Sequence, residues 1–584
     1  MNIAEFILGI VRKLGTDTAF SLTGGMAMHI NRAVADSGMQ VIYGNHEQAV
    51  AAAADGYAKA KEFMVPGLAV VTSGPGVLNT VNAVASAYYD SVPLFVLAGQ
   101  AKTADLNTFG VRSRAAQETP QIPTMALVTK CAFRYVPDMP DEELAGNMAQ
   151  ALAGRKGPVF CEIPLDIQPQ QVDNAELRLD AIVKRIHEIV AADAASDDKA
   201  AAAIVAELAR AERPVLVLGN GLRIAGVSRQ RILELVERIG VPVLTTWASF
   251  DLLAFDHDLN FGSAGGLAPV HSNTIIQSAD LLVFLGTRLD LLTTAFNANN
   301  YGKHAKRLVV ECDENEIAKN ATMSDTVFFR ENVGNVVTVL ETAGRKAVCE
   351  AWLAKCRGLR VEDRALEARA FDGTRFTTYQ LARVLADCPS TPYVVPTASG
   401  FACEGFARFF KPRKGATFAW AGHVLGSMGL GLPCAIGAAA ALRTPVVCVE
   451  GDGGILLNVQ ELFTLAANPH LALTVVVMNN GGYQSIIKSQ VRAFGKEFGA
   501  SKSSGLGVPP SFDLLAAAAG MIYERCETVE QFEKAMARTG TEQRLIEVLL
   551  KEDGYRGPSV TTKFTADGKP YSTDIGDVTW QRSA

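Results

Sequence analysis

Short runs of Val, Ile, Leu and Phe recur along the chain, each closed by a turn of small residues and followed by a stretch of helical periodicity. In the first third they are Val65–Ser73, Val92–Gly99 and Pro158–Pro164. Pro214–Gly219, Val241–Thr246, Leu281–Gly286 and Arg307–Cys312 follow in the middle; Val394–Thr397, Pro445–Glu450, Leu473–Met478 and Leu545–Leu550 complete the series. A strand that is apolar on both faces has to be covered on both, which is the condition of a parallel sheet between two layers of helix. The repetition therefore predicts an α/β chain built of doubly wound parallel sheets. Its 584 residues are enough for about three or four such units.

Two breaks divide the chain. Gly157–Pro164 ends one unit, a polar stretch from Gln168 to Leu177 leads away, and the Ala-rich segment Ala191–Ala203 is expected to be a helix opening a second unit. A charged helical segment, Ala351–Ala370, separates the second unit from a third, and beyond about Lys551 a tail rich in Gly, Thr, Asp and Lys has no period. The expected division is residues 1–185, 186–350 and 351–550, with 551–584 as the tail.

Charged residues make up 20% and apolar ones 48% of the chain, a globular balance that excludes wholesale disorder. A net charge of −6 argues against nucleic acid as a partner, because phosphate backbones call for basic surface. Ten cysteines without a CxxC pair read as thiols of a reducing compartment. Met1–Leu8 has Glu5 inside its apolar run and keeps a helical rhythm to Leu14, so it is expected to be the first helix of a domain and not a signal peptide. No apolar run reaches the ~20 residues of a membrane span. These features predict a soluble cytoplasmic protein of metabolic-enzyme size, with neither membrane nor nucleic acid as partner.

The strongest chemical signal is Gly451-Asp452-Gly453-Gly454, followed later by Asn479-Asn480-Gly481-Gly482. Each turn follows an apolar strand, so both emerge at the carboxyl edge of a parallel sheet, where ligands bind. Gly453 and Gly454 let the main chain approach a phosphate, and a helix starting after Gly454 would direct its N–H groups at that anion. Asp452, the amide oxygen of Asn480 and a main-chain carbonyl, assigned to Gly482, form a hard-oxygen set suited to Mg²⁺. The spacing leaves room for one helix and one strand, which sets the turns side by side. Taken alone, two ordinary βα units would offer the same turns.

Together the turns resemble the signature of thiamine-diphosphate (ThDP) enzymes, and further segments resemble the acetolactate synthase-like branch from Phe6 to about Leu550. The resemblance implies three domains: pyrimidine-binding, central nucleotide-binding-like and diphosphate-binding. His46-Glu47-Gln48, between the strand Gln40–Tyr43 and the helix Ala49–Ala60, gives Glu47 as the glutamate that hydrogen-bonds N1′ of the cofactor's aminopyrimidine. An acid there stabilises the imino tautomer, whose 4′-nitrogen removes the thiazolium C2 proton, and burial would raise its pKa to suit that work. Thr72–Asn79 is similar to the family's SGPG-x-x-N segment, which places Ser73, Gly74, Pro75 and Asn79 at the pyrimidine. Gly25 matches one of the paired glycines facing the thiazolium, and the loop through Arg112 and Gln117 resembles the one that delivers a catalytic glutamine, Gln117. Leu425-Gly426-Ser427-Met428-Gly429 is similar to LGTMG, with Leu425 and Gly426 at the cofactor and Met428 as the apolar wedge beneath it; Ser399 and Gly400 are expected to line the diphosphate.

In the middle unit Gly219, Gly286 and Arg288 close two strands and Asp313 follows a third, a pattern that suits a nucleotide. The resemblance implies FAD there as a structural group; in other members this domain holds ADP or nothing. The acceptor side departs from acetolactate synthases. Ala116 stands in place of a phenylalanine, Ser489 in place of a tryptophan, and His423-Val424 in place of two glycines. These changes widen the pocket, and His423, with His29 facing the same cavity, adds a donor or proton relay. The pattern is closer to the YerE-type carboligases, which add a pyruvate-derived acetyl unit to a keto-sugar nucleotide. The implied enzyme is a ThDP- and Mg²⁺-dependent carboligase, a transferase/lyase that decarboxylates a 2-oxo acid and passes two carbons to a ketone or aldehyde. A pyruvate oxidase-like flavoprotein and a C–C lyase or hydrolase acting on a diketone stay open as alternatives. A homodimer or homotetramer is implied, with Glu47 of one subunit meeting the diphosphate domain of another, and the tail is expected to close over the site.

Overall fold

The computed structural model describes residues 1–193, 198–342, 349–371, 375–388, 393–413, 416–500, 509–538, 540–551 and 557–580. Three units each hold a six-stranded parallel sheet. The first runs in the order Gln40–Tyr43, Thr18–Ser21, Gly67–Val71, Leu94–Gln100, Pro158–Pro164, Cys131–Arg134. The second runs Thr326–Arg330, Lys306–Glu311, Leu281–Leu285, Pro214–Leu218, Val243–Thr245, Asn260–Ser263. The third runs Thr417–Phe418, Tyr393–Pro396, Val446–Gly451, Leu473–Asn479, Arg544–Leu549, Ile522–Cys526. All eleven apolar runs read from the sequence are strands in the interior of these sheets, where helices cover both faces.

The helix Ala175–Asp193 runs across the expected division at 185/186, and Leu179, Ile182 and Ile186 lie in the core of the first unit. The second unit opens with the helix Lys199–Arg210; residues 194–197 of the expected Ala191–Ala203 helix are outside the described residues. The helix Glu350–Ala370 forms as expected, and its first turns belong to the second unit: Trp352, Leu353 and Cys356 enter that core, and the Trp352 indole donates to the Pro214 carbonyl at 3.2 Å. Among its described residues, the tail makes no hydrogen bond to the third unit's glycine turns. It forms a hairpin, Thr562–Phe564 with Pro570–Ser572, and is strapped to the second unit. Ile575 is buried in that unit's core, Asp574 accepts from Gln277 at 2.8 Å and pairs with Lys303 at 2.9 Å, and the Trp580 indole donates to Asp363. Among the described residues, no helix is long and apolar enough to cross a membrane.

The first and third units share one continuous apolar core. Its centre is the contact of the helix Glu47–Ala60 with the helix Gly431–Leu442. Both are runs of Ala and Gly, so the main chains touch. A Cβ at Gly56 would lie 2.0 Å from the Cys434 carbonyl oxygen, and one at Gly437 would lie 1.8 Å from that of Ala53. Alanine normally favours a helix over glycine by about 1 kcal/mol; here the added methyl forces two backbones apart. Gly437→Ala is therefore expected to destabilise the protein by about 1–3 kcal/mol in urea unfolding; unchanged or raised stability would contradict this packing.

Candidate active site

The two glycine turns of the third unit meet at the ends of adjacent strands, Val446–Gly451 and Leu473–Asn479. Asp452 sits between them, 4% exposed. One carboxylate oxygen accepts from the Gly453 N–H at 2.7 Å, and the other accepts from Gly481 at 3.1 Å and Gly482 at 2.8 Å. Positive φ at Gly481 and Gly482 (86° and 104°) turns both N–H groups inward, a conformation that glycine adopts freely. Burial raises the Asp452 pKa, against the pull of these N–H groups. Beside it the Asn480 amide oxygen is buried without a hydrogen-bond partner. A buried acceptor without a partner costs about 1–3 kcal/mol, and a hard cation between it and Asp452 would supply one. The residues therefore fit Mg²⁺, and through it a diphosphate. Met428 is half-buried and Leu425 exposed on the neighbouring loop, and Gly400, at φ 63°, opens the helix Gly400–Phe409 with free space where a side chain would stand. The Ser399 hydroxyl lies 3.3 Å from that of Thr397.

The pyrimidine-side residues gather on the first unit. The His46 ring caps the helix Glu47–Ala60 by accepting from the Gln48 N–H at 3.1 Å, which fixes Glu47 in its first turn. Glu47 is half-buried, and its carboxylate accepts from the Asn79 amide at 3.0 Å. Asn79 and Pro75 are exposed on the helix Pro75–Tyr89. Gly74, at φ 62°, starts that helix under the Gln117 carbonyl, where a Cβ would meet the oxygen at 2.4 Å. Gln117 thus reaches this patch through its backbone, with its residue exposed. Ser73 is a wall: it is fully buried and its hydroxyl has no partner. Gly25 is exposed at the start of a short turn, and His29 is half-buried with its N–H on Gln168. Among the described residues, no hydrogen bond joins Glu47, Asn79 or Gln117 to Asp452, Asn480 or Gly482.

A cavity of about 310 Å³ lies where the three units meet. Gly286 and Arg288 line it, as do Asn220, Gly221 and Arg223. Gly219 lies behind the wall, where a Cβ would meet the Gly286 oxygen at 2.0 Å. Asp313 caps the helix Glu314–Asn320 and pairs with Arg155 at 3.0 Å; Arg155 and Glu311 face the cavity in its place. Burial lowers the Lys156 pKa to about 8, its ammonium donating to the Phe63 carbonyl at 2.8 Å. His423 also lines this cavity, its ring stacked on Trp420 and its Nδ1 buried without a partner. Burial lowers its pKa, against the opposing pull of Asp90 and Asp290. The Arg and Lys side chains, the strand-end glycines and this open nitrogen suit an anionic nucleotide.

Sequence reading missed Glu450, whose signal is an acid ending the otherwise apolar run Val446–Val449. Its carboxylate lies beneath both glycine-rich segments and accepts from the Gly431 N–H at 2.9 Å. A Cβ at Gly431 or Gly454 would fall 2.2 or 2.5 Å from its oxygens, so Gly454 makes room for Glu450 as well as for a ligand. Burial pushes the Glu450 pKa up to about 7, against hydrogen bonds from Thr397 and two main-chain N–H groups. The folded value lies above the unfolded one, so this group's contribution is complete below the unfolded value and is lost as pH rises through about 7. In metal-free protein, Glu450→Gln should gain on the order of 2–3 kcal/mol relative to wild type between pH 5 and pH 8 in urea unfolding. Parallel pH curves for the two proteins would contradict this.

Comparison with known proteins bears on all three units. The N-terminal TPP binding domain of thiamine pyrophosphate enzymes matches residues 1–127, the central domain of the same enzymes 201–340, and their C-terminal TPP binding domain 399–548. The chain is 31% identical over 511 residues to a probable chloroplastic acetolactate synthase 2 of Oryza sativa subsp. japonica, covering 84% of this chain and 73% of that one. It is 28% identical over 566 residues to a probable acetolactate synthase large subunit of Methanocaldococcus jannaschii, covering 94% and 92%. The acetolactate synthase isozyme 2 large subunit of Escherichia coli (strain K12) is 28% identical over 543 residues, covering 92% and 93%. With three α/β units in the same order as those domains, the chain belongs to the thiamine pyrophosphate enzyme family.

Proposed function

We propose that this protein is a ThDP- and Mg²⁺-dependent carboligase that releases CO₂ from pyruvate and joins the remaining two carbons to a ketone or aldehyde. The observation that carries the reading is the unpartnered Asn480 oxygen beside an Asp452 held by three N–H groups. Asp452, Asn480 and the Gly482 carbonyl would hold the metal and the diphosphate. Glu47, its carboxylate oriented by Asn79, would hold a proton at pyrimidine N1′, and Met428 would support the ring system from below. When bound, ThDP supplies the electron sink for loss of CO₂. The protein's part is to bind, orient and exclude water.

In this reading the pyrimidine-side residues of one copy meet the metal-side residues of another. Met28, Tyr43 and Leu78 are exposed on the unit that carries Glu47 and Asn79, and Leu457 and Phe463 are exposed close after the Asp452 turn. Apolar side chains in those places suit a second copy of the chain, so a homodimer is the smallest complete enzyme and a tetramer is a larger form of it. FAD is proposed for the three-unit cavity as a structural group. A keto-sugar nucleotide is the finer proposal for the acceptor, supported by the small residues Ala116 and Ser489. His423 faces the nucleotide cavity, so it serves that ligand in preference to the acceptor.

Anaerobic incubation with ThDP, Mg²⁺ and pyruvate should release CO₂ slowly, and faster when a ketone or keto-sugar is added, while any flavin stays oxidised. Bleaching of the flavin, or diketone cleavage without pyruvate, would replace the carboligase reading. Glu47→Gln should keep ThDP bound while slowing exchange of its C2 proton by about 100-fold or more. Asp452→Ala should lose Mg²⁺-dependent retention of ThDP with its circular dichroism unchanged; retention at the wild-type level would contradict the metal assignment.

A further inference from the structure

The helix Pro75–Tyr89, with Asp90 at its end, does more than carry Asn79. Asn79, Asn82, Ser86 and Asp90 follow at helical spacing along one face. Asn79 donates to Glu47, and the Asn82 amide oxygen accepts from the Ser427 hydroxyl at 2.8 Å. The Ser86 hydroxyl lies 3.1 Å from where a Cβ on Gly422 would stand. Asp90 accepts from two successive N–H groups, His423 and Val424, both at 3.0 Å. The third unit's loop Gly422–Met428 thus hangs from a helix of the first unit at two points. The Asp90 carboxylate is itself fixed. The Lys59 ammonium, 4% exposed, contacts Asp90 at 2.8 Å, Asp55 at 2.9 Å and the Trp420 carbonyl at 2.9 Å. All three donors of Lys59 are used, and its Trp420 partner stands just before the loop. Asp55 touches Lys59 and Cys434 and makes no hydrogen bond to the loop.

We propose that Asp90, held by Lys59, is a positioning residue that sets the Gly422–Met428 loop, aiming His423 at the nucleotide cavity and Met428 at the cofactor side. This rests on the reading of Met428 given above. By accepting from two consecutive N–H groups, one carboxylate fixes both the position and the turn of the loop. The fully buried pair also makes the arrangement stiff, since moving the loop would strip a buried anion of two donors and leave their desolvation uncompensated. The same helix face touches Glu47 at one end and the wedge loop at the other, so a shift of either would be felt at both.

The test compares Asp90→Asn with Asp55→Asn in the full chain with ThDP and Mg²⁺, reading kcat and KM for pyruvate together with C2 proton exchange of the bound cofactor. Asparagine at 90 keeps one acceptor and loses the other. The positioning role predicts that Asp90→Asn lowers kcat and exchange by about tenfold or more with KM within about twofold, because misplacement by about an ångström is enough for such losses. Asp55→Asn, which disturbs the same buried charges, should leave both rates within about twofold whatever its melting temperature. Equal losses in the two variants, or wild-type exchange in Asp90→Asn, would overturn the proposal. If Asp90→Asn does not fold, Asn82→Ala removes the second tether without touching a buried charge; it should lower kcat and spare KM, and unchanged kcat would count against the proposal. A wild-type protein that binds ThDP without C2 exchange would overturn the site reading itself, and this inference with it.

Discussion

The close contact of two Ala- and Gly-rich helices, Glu47–Ala60 and Gly431–Leu442, is the constraint on which the rest depends. Backbone touches backbone at Gly56 and Gly437, so the relative placement of the first and third units has almost no slack. That placement puts Lys59 on the first helix within reach of the Trp420 carbonyl and brings Asp90 under the loop that carries Met428. It also closes one wall of the cavity shared with the second unit. A looser, side-chain-mediated contact would bury as much apolar surface and leave these polar distances undefined.

Polar groups then divide into those satisfied within the chain and those left open. Lys59, Asp90 and Asp251 are buried charges with full sets of partners: Asp251, for instance, is held by Arg223 at 2.6 Å and by Arg229. Two of the open groups fall at proposed ligand positions: the Asn480 oxygen and His423 Nδ1 are buried without partners, one at the proposed metal site and one in the three-unit cavity. Such groups are expensive in a fold of limited net stability, and ligands that complete them stabilise the folded chain by mass action.

Most of the fold was legible because interior parallel strands have to be apolar on both faces. What escaped were the strands this rule does not reach. Thr326–Arg330 and Ile522–Cys526 are sheet edges with partly exposed residues, Thr417–Phe418 has only two residues, and Thr18–Ser21 is fully buried yet contains two hydroxyl side chains that break the apolar signal. The unit boundaries were harder still, because the helices Ala175–Asp193 and Glu350–Ala370 look like connectors in composition and prove to be packed into cores. Within the site, the glycine turns and Asp452 could be read from local pattern. Asp90 and Lys59 could not, since their partners lie far away in sequence, and Glu450 left only the faint signal of an acid ending an apolar strand; the described part of the tail packs Ile575, Asp574 and Trp580 on the second unit.

In the proposed enzyme a complete site takes Glu47 from one copy and Asp452 from another. Mixing Glu47→Gln chains with Asp452→Ala chains, each inactive alone, under conditions that let subunits exchange, tests this. In a mixed dimer one site inherits both lesions and the other neither, so C2 proton exchange of ThDP should return to about a quarter of the wild-type level in an equal mixture. No recovery, with mixed dimers demonstrated and wild type active in the same assay, would mean that each chain builds its own site.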